Sequence, residues 1–332
     1  MTPNARFLTF LKDIEPSPTT KSNASTAHNR LRSILETDPV FGLLHRHTFL
    51  SGSHKRDTAI RPRVKNGDAE RPDIDIIVVT THNTYDDPVA VMDAVHTVLT
   101  RHYTPTNRQA RSVSVYSPLA DMDVVPLIDP YDNRTYYIAD RLQQSWLRTN
   151  PPGHTAWTTQ MNQATDERFK RLVKLFKWWR RENKTVGKRP KGFVLEVLAA
   201  NHMSATETHY GKLFVGMLES IVNRYSVEVS LGMLPSLDDP SMPGNNILGG
   251  LSFAAFEGFY NKVKTHAAIG RRALQFDDQD KATADWRVLF GERFPKPPIR
   301  KSTGLLDTAT VSSGLVFPDR PVRPANKPQG FA

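Results

Sequence analysis

The sequence of 332 residues contains no cysteine. The chain can therefore form no disulfide framework, no thiolate metal site and no cysteine nucleophile, which excludes zinc ribbons and papain-like chemistry. It also lacks an apolar run of the roughly 18–20 residues that a helix needs to cross a bilayer. The first residues, MTPNARFLTFLKDIEPS, hold too short an apolar stretch and too early an acid for a secretory signal. We expect a soluble, cytoplasmic protein whose chemistry depends on oxygen and nitrogen groups.

Several common catalytic motifs are absent as well. The sequence has no G-x-x-x-x-G-K-[ST] loop, no H-E-x-x-H helix and no G-x-S-x-G elbow, which removes the usual ATPase, zinc-protease and α/β-hydrolase interpretations. Negative charge is in the minority, because 44 Lys and Arg residues face 34 Asp and Glu residues, for a formal net charge of +10. This balance favours polyanionic partners, whether nucleoside triphosphates, nucleic acid or an anionic membrane.

The hydrophobic pattern changes character along the chain. The first half mixes predicted helices at 5–13 and 26–37, separated by a Pro/Ser/Thr stretch at 16–26, with predicted strands at 47–51, 73–79, 111–116 and 121–128. Helical periodicity then dominates, with helices predicted at 166–183, 192–203, 211–226, 252–269 and 284–290. The prediction is an α+β chain with a mixed-sheet core and N-terminal bracing helices at 1–160, a helical lobe at 161–298 and a flexible, proline-rich tail at 299–332.

Carboxylates stand out at the start of two predicted strands. Side chains alternate faces along a strand, so Asp73 and Asp75 project from the same side of one strand. At about 6 Å and an effective dielectric of about 20, their repulsion is on the order of 3 kcal/mol, which a bound divalent cation would reverse. Asp121 and Asp123 can add a third acid from a second strand, and Asp123 is better placed because apolar residues follow it directly. Such ligands suit two Mg²⁺ or Mn²⁺ ions that support in-line phosphoryl transfer.

A turn about twenty residues before the acid pair has the composition of a phosphate-binding turn. Gly52 would let the backbone approach a phosphate, and Ser53 offers a hydroxyl and an N–H group. A Gly-Ser pair alone is no signal. A Gly-Ser pair after a strand, followed by a strand that opens with D-x-D and another that holds a third acid, is a specific arrangement.

With these motifs in place, the sequence resembles the polymerase-β-type nucleotidyltransferases, and most closely the bacterial cGAS/DncV-like enzymes that make cyclic oligonucleotide second messengers. The resemblance covers roughly residues 5–295. It also includes T-A-I-R-P at 58–62, M-D-V-V-P at 122–126, W-L-R-T-N-P at 146–151, L-V-K-L-F-K-W-W-R-R at 172–181 and W-R-V-L-F-G-E-R-F-P at 286–295. It implies a polymerase-β-like core and a C-terminal helical lobe, bilobed with a central cleft.

The resemblance also implies roles for individual residues. Asp73, Asp75 and Asp123 would be catalytic and hold two metal ions, with Asp123 helping to activate the attacking hydroxyl. Nucleotide binding would fall to Gly52, Ser53 and Lys174. Two positions depart from the family pattern, because His54 replaces a common aromatic residue and Asp57 replaces a common glycine.

Three functions remain open at this point. The first is a synthase that joins nucleoside triphosphates, adenine-containing by likeness, into a ring with release of pyrophosphate, and that acts in antiphage signalling through a product-activated effector. The second is a template-free transferase that modifies an RNA end or a small acceptor. The third is an inert nucleic-acid sensor, which the intact acid triad disfavours. Bases, linkage and ring size cannot be read from the sequence.

The predicted helix at 166–183 carries a basic stripe of Lys170, Lys174, Lys177 and Arg181. A solvated face is the common interpretation of such a stripe, with Lys174 as the exception. Trp178 and Trp179 on the same helix are predicted to be core residues, and Glu196 to pair with a basic residue of the stripe in a structural role.

The remaining features are weaker signals. His45 and His47 could face the same way, but with no third ligand apparent they are interpreted as ordinary polar residues. The chain end, P-Q-G-F-A at 328–332, resembles tails that ubiquitin-transfer-like ligases join to a target, so such a ligase is a predicted partner.

Overall fold

The computed structural model describes residues 1–65, 68–129, 135–183 and 189–298. Residues Met1–Pro297 form one compact unit, and the predicted division at residue 160 stays a prediction. The predicted tail at 299–332 lies outside the described residues. No helix in the described ranges is long and apolar enough to cross a membrane.

The helices account for most of the described chain. They are α1 (Asn4–Ile14), α2 (Pro18–Thr37), the short α3 (Gly52–Lys55), α4 (Pro88–Thr100), α5 (Pro151–Ala164), α6 (Arg168–Glu182), α7 (Gly192–His202), α8 (Tyr210–Ser230), α9 (Phe253–Gln275) and α10 (Gln279–Phe290), with a 3-10 turn at Phe41–Leu43. The predicted linker at 16–26 was wrong for most of its length, since α2 already begins at Pro18. The physical reason is local: the Ser17 side chain accepts a hydrogen bond from the Thr20 N–H, and proline suits a first helical turn.

A seven-stranded mixed sheet forms the other layer. Its strands are β1 (His45–Leu50), β4 (Asp73–Thr80), β5 (Thr106–Arg108), β6 (Val113–Tyr116), β7 (Asp121–Ile128), β8 (Tyr136–Asp140) and β9 (Ser145–Thr149), while two hairpins lie apart from it, β2 (Val64–Lys65) with β3 (Asp68–Ala69) and β10 (Asp238–Asp239) with β11 (Met242–Asn246). The path β1-β4-β7-β6-β5 is antiparallel except for the parallel pair of β4 and β7. The second half of β7 pairs with β8, which leads to β9.

Two large hydrophobic cores stabilise these layers. One lies between the sheet and helices α2 and α4, and β4 contributes the buried Ile74, Ile76 and Val78 to it. The other is built by helices α6 to α10, and α1 contributes Phe7 and Phe10 to it although it precedes the sheet. Because side chains alternate along β4, its acids lie on the face opposite Ile74 and Ile76.

Candidate active site

The three predicted catalytic acids share one face of two adjacent strands. The parallel register pairs Asp73 with Asp121 and Asp75 with Asp123, and partners in register point to the same side of a sheet. Asp123 accepts a hydrogen bond from the Ser114 hydroxyl on β6, and Asp121 forms an ion pair with Arg71 at 2.6 Å. Asp123 is therefore held by a hydroxyl group, whereas the charge of Asp121 is matched by an arginine.

Asp75 is the most strained of these groups electrostatically. Burial raises the pKa of its carboxyl group, the neighbouring Asp123 raises it further, and the more distant cations Arg56 and Lys177 oppose both effects. Two adjacent carboxylates with hard oxygen donors are the chemistry that divalent cations prefer. As the side chains stand, no group of three or more His, Asp or Glu residues in the described ranges is arranged to hold a metal ion. The donor set fits such an ion, and small side-chain rotations would have to complete the site.

The predicted phosphate-binding turn packs directly on Asp75. Gly52 has a positive φ of 66°, and a Cβ atom there would lie 1.7 Å from Asp75 Oδ2. The Ser51 N–H donates to the Asp75 carbonyl oxygen at 2.9 Å. Glycine is therefore required at this position both by conformation and by space, and the contact fixes the turn beside the carboxylates.

The far end of the turn is closed by its own backbone. The Arg56 N–H donates to the Gly52 carbonyl at 3.2 Å, and the Thr58 N–H donates to the Ser53 carbonyl at 2.9 Å. Asp57 between them has a φ of 54°, a left-handed conformation that glycine adopts without cost. This explains why the family pattern has glycine where this chain has Asp57.

Cavities surround the acids on several sides. A cavity of about 410 Å³ is bordered by Ser53, Asp73 and Lys177, among other residues. Asp73 also borders a second cavity of about 750 Å³, together with Asp123, and Asp123 borders a third of about 800 Å³. These volumes fall in the range of small-molecule sites, so the acid face has room for more than one nucleotide.

The Second Messenger Oligonucleotide or Dinucleotide Synthetase domain matches residues 1–162. A cyclic AMP-AMP-AMP synthase from an Acinetobacter species is 49% identical over 340 residues, which span 100% of this chain and 98% of the relative. The chain belongs to the bacterial cGAS/DncV-like nucleotidyltransferases.

Solved structures of this family share the fold. CdnG of Bradyrhizobium diazoefficiens, in complex with GTP, has a TM-score of 0.71 at 14% identity, covering 88% of this chain and 96% of that chain. CdnC of E. coli MS115-1, in a complex with HORMA-deltaN, has a TM-score of 0.67 at 18% identity, covering 88% and 98%. The predicted α+β class, with a polymerase-β-like core and a helical lobe, is confirmed.

Family membership also decides among the three functions. The synthase is a metal-dependent nucleotidyltransferase that joins nucleoside triphosphates into a cyclic oligonucleotide, and its role in antiphage signalling goes with the family. The predictions of a template-free end-modifying transferase and of an inert sensor were alternatives to this function, and the family assignment favours neither.

The basic stripe of the synthase is different from the predicted solvated face. Lys174 is 4% exposed, and its Nζ lies 2.9 Å from Glu15 Oε1 and 3.3 Å from Asp57 Oδ1. Lys177 is also buried, yet it is the stripe lysine that borders the cavity with Ser53 and Asp73. Arg181 lies over the Trp178 ring, 3.6 Å from its centroid. The solvated interpretation is wrong for Lys177, and phosphate contact by Lys174 stays a prediction.

The predicted pairing of Glu196 with a basic residue of the stripe is confirmed, and the structure adds further partners. Its buried carboxylate accepts from Lys177 at 2.8 Å, as expected, and also from Arg56 at 2.9 and 3.1 Å and Thr58 at 2.9 Å. Arg56 and Thr58 were missed by sequence analysis. The only signal for them is that both follow the Gly-Ser turn closely.

The other minor predictions have clear structural outcomes. Trp178 and Trp179 are buried core residues, as predicted. His45 forms a hydrogen bond with Thr48 at 2.7 Å, and His47 stacks on Phe49.

Proposed function

We propose that this synthase uses ATP to make a cyclic trinucleotide of AMP. The observation that carries the proposal is the 49% identity, over the full chain, to a cyclic AMP-AMP-AMP synthase. The enzyme would work in the cytoplasm, where ATP is abundant, and its product would activate a separate effector.

The acid face of β4 and β7 would carry out the transfer. Asp73, Asp75 and Asp123 would hold two Mg²⁺ or Mn²⁺ ions, and bound there the ions would favour ionisation of the attacking hydroxyl and neutralise charge on the leaving pyrophosphate. A ribose hydroxyl oxygen of one nucleotide forms a bond to the α-phosphorus of the next. The bond from that phosphorus to the oxygen that bridges it to the β-phosphate breaks, and pyrophosphate leaves. The hydroxyl proton would pass to the Asp123 carboxylate.

The turn would hold the triphosphate that reacts. Ser53 can donate its hydroxyl and N–H to the terminal phosphates, and it borders the same cavity as Asp73. Lys177 borders that cavity too, with its charge paired to the buried Glu196. Lys174 remains a predicted phosphate contact, and its Nζ lies within ion-pair distance of Glu15 and Asp57.

The cavity on the other side of Asp123 would receive the acceptor nucleotide. Its lining combines cations, Arg111, Arg189 and Lys191, with the apolar Leu248 and Leu251. This combination suits a nucleotide, because the cations can contact phosphate while the apolar residues can contact a base. The ring would form after the linear product moves so that its free hydroxyl reaches the same acid face.

Base choice provides the test of the proposed product. The purified protein would be given ATP alone, GTP alone or an equimolar mixture, each with Mg²⁺, and the products identified by mass. We expect a ring of AMP units from ATP alone and the same ring from the mixture. A GMP-containing ring as the main product of the mixture would contradict the proposal while leaving the family assignment intact.

A ubiquitin-transfer-like ligase is the proposed protein partner. Its support is the tail sequence, where Arg300, Lys301, Arg320, Arg323 and Lys327 face Asp307 and Asp319 for a net charge of five minus two, or +3, in a proline-rich segment. The chain end, P-Q-G-F-A at 328–332, resembles tails that such ligases join to a target. These residues lie outside the described ranges.

A further inference from the structure

Three consecutive residues after the phosphate-binding turn contact the helical core. Arg56 donates to Glu196 on α7 through two nitrogens, at 2.9 and 3.1 Å. Asp57 accepts from Lys174 on α6 at 3.3 Å. Thr58 donates to Glu196 at 2.9 Å and accepts from Lys177 at 2.9 Å. We call this set of contacts the 56–58 clamp.

The clamp is electrically balanced and buried at Arg56 and Thr58, whereas the Asp57 side chain is 61% exposed. Thr58 and Glu196 are 0% exposed, and Lys174 is 4% exposed. With Glu15, which also binds Lys174, three carboxylates match the three cations of the clamp. Because buried charges are costly unless they are paired, the contacts of Glu196 with Arg56 and Lys177 hold their geometry firmly. The charge of Lys174 is already matched before a nucleotide binds.

The clamp is linked to Ser53 by a short stretch of rigid backbone. The Thr58 N–H donates to the Ser53 carbonyl at 2.9 Å, and at the other end Gly52 packs against Asp75. The turn is therefore held between the acid face on one side and α6 and α7 on the other. Moving residues 56–58 would shift Ser53 relative to Asp75, and such small displacements are costly in phosphoryl transfer.

We propose that Lys174 and Glu196 are positioning residues that act through residues 56–58 to set the place of Ser53 beside Asp75. This inference rests on the proposed role of Ser53 in triphosphate binding. It gives Lys174 a role different from direct phosphate contact, and the two roles predict opposite effects when the Asp57 carboxylate is removed.

The decisive variant is Asp57→Asn, since asparagine tolerates the left-handed conformation and keeps the side-chain size. If Lys174 acts through Asp57, the variant raises the KM for ATP by about fivefold with kcat within about twofold. Lys174→Met should show at least this defect, because it removes the contact with Asp57 and also the contact with Glu15. The double variant should be no worse than Lys174→Met alone, since Lys174→Met has already broken the contact that Asp57→Asn weakens. If Lys174 instead contacts phosphate, loss of the nearby negative charge leaves the KM unchanged or lowers it, which would overturn the proposal.

Arg56→Lys tests the Glu196 side of the clamp. It does not depend on whether Asp57→Asn folds. It preserves the charge but loses the two-point contact, so the KM for ATP should again rise by about fivefold. The control is Arg272→Lys, which breaks an equally two-pronged pair with Asp285, at 2.7 and 2.7 Å, on the surface of α9, where the Arg272 side chain is 57% exposed against 8% for Arg56. An equal rise in the KM of the control would show that Arg56 only contributes stability.

Ser53→Ala separates failure of this inference from failure of the proposed function. If Ser53→Ala weakens ATP binding while the clamp variants do not, Ser53 keeps its role and only the positioning inference is wrong. If Ser53→Ala has no effect, the proposed phosphate-binding role is itself contradicted.

Discussion

Strand alternation decides on which face of the sheet each acid of β4 and β7 lies, so the position of each carboxylate follows from its place in the strand. Asp75 is followed by three buried apolar residues in sequence, Ile76, Ile77 and Val78, so it cannot turn to the other face without exposing part of the core. Its partner Asp123 is fixed by register and by the Ser114 hydroxyl. The result is a pair of carboxylates that repel each other in the absence of a cation.

Replacing these acids tests the site at the scale of one residue. Asp73→Asn, Asp75→Asn or Asp123→Asn should leave the protein folded and reduce turnover by about 10³-fold or more, because each change removes ligand charge rather than core packing. Pyrophosphate release with Mg²⁺ and with Mn²⁺ would measure this, with circular dichroism as the check on folding. Rates near wild type for any two of the three variants would refute the assignment.

Gly52→Ala is expected to be equally informative. The new Cβ atom would meet the Asp75 side chain at 1.7 Å, at a φ of 66°, so the turn must move away from the acid face. Turnover should fall by about 10²-fold, the scale that a displacement of about 1 Å can cause. Gly216→Ala is the control, since a Cβ atom there meets nothing within 4 Å. Unchanged kinetics for Gly52→Ala would show that the turn does not depend on this contact.

At the scale of elements, sequence reasoning succeeded where the signal is local. The buried strand β4 and the helices α6 and α7 were predicted to within two residues because apolar periodicity marks each of them, whereas α8 and α9 end four and six residues later than predicted. Helix α5 was not assigned, since its buried residues are Pro151, Thr158 and Asn162, and a helix that buries polar groups has no apolar stripe to recognise. The strands β8 and β9 were missed for a related reason, because most of their residues are only partly buried.

The site, like the helices and strands, was predictable only where it depends on residues that are close in sequence. Asp73, Asp75 and Ser53 lie within one stretch of chain, and their arrangement follows from a strand and a turn. The contact between Thr58 and Lys177 joins residues 119 positions apart, and only the packing of α6 against the turn creates it. This is why Lys177 was assigned to a surface stripe and Arg56 was not considered.

The contacts of Glu196 in the 56–58 clamp predict how the stability of the fold changes with pH. Burial works to raise the pKa of Glu196, but Lys177 and Arg56 outweigh it and lower the pKa from 4.5 to about 2. A shift of this size corresponds to stabilisation on the order of 3 kcal/mol. Since the folded-state pKa is the lower one, the unfolded chain takes up the proton first as the pH falls. The stabilisation is complete above about pH 4.5 and is lost as the pH falls towards 2.

Urea unfolding of the wild type and of Glu196→Gln would measure this effect. The difference in unfolding free energy between the two proteins should be constant near neutral pH and shrink as the pH falls below about 4.5. Other carboxylates titrate in the same range in both proteins, so the difference isolates Glu196. A difference that does not change with pH would mean that Glu196 is not held ionised by its neighbours.

At the scale of the whole molecule, catalysis and the tail are separable. The residues proposed for catalysis and nucleotide binding all lie within Met1–Pro297, which forms one compact unit. Deleting residues 321–332 should therefore leave synthesis from ATP unchanged and abolish any covalent adduct formed with a ubiquitin-transfer-like ligase. An adduct that still forms on the truncated protein, or that never forms on the full chain when the ligase is supplied, would contradict the proposed partner.

Ring formation without an acceptor distinguishes this synthase from a transferase that modifies an RNA end or a small acceptor. The protein would be incubated with ATP and Mg²⁺ alone, the product treated with phosphatase, and its mass determined, with Asp75→Asn as the inactive control. Because a ring has no terminal phosphate, we expect the wild-type product to resist phosphatase and to have the mass of a cyclic AMP oligomer. The control should give no such product. A phosphatase-sensitive linear product, or no product until an RNA or other acceptor is added, would contradict it.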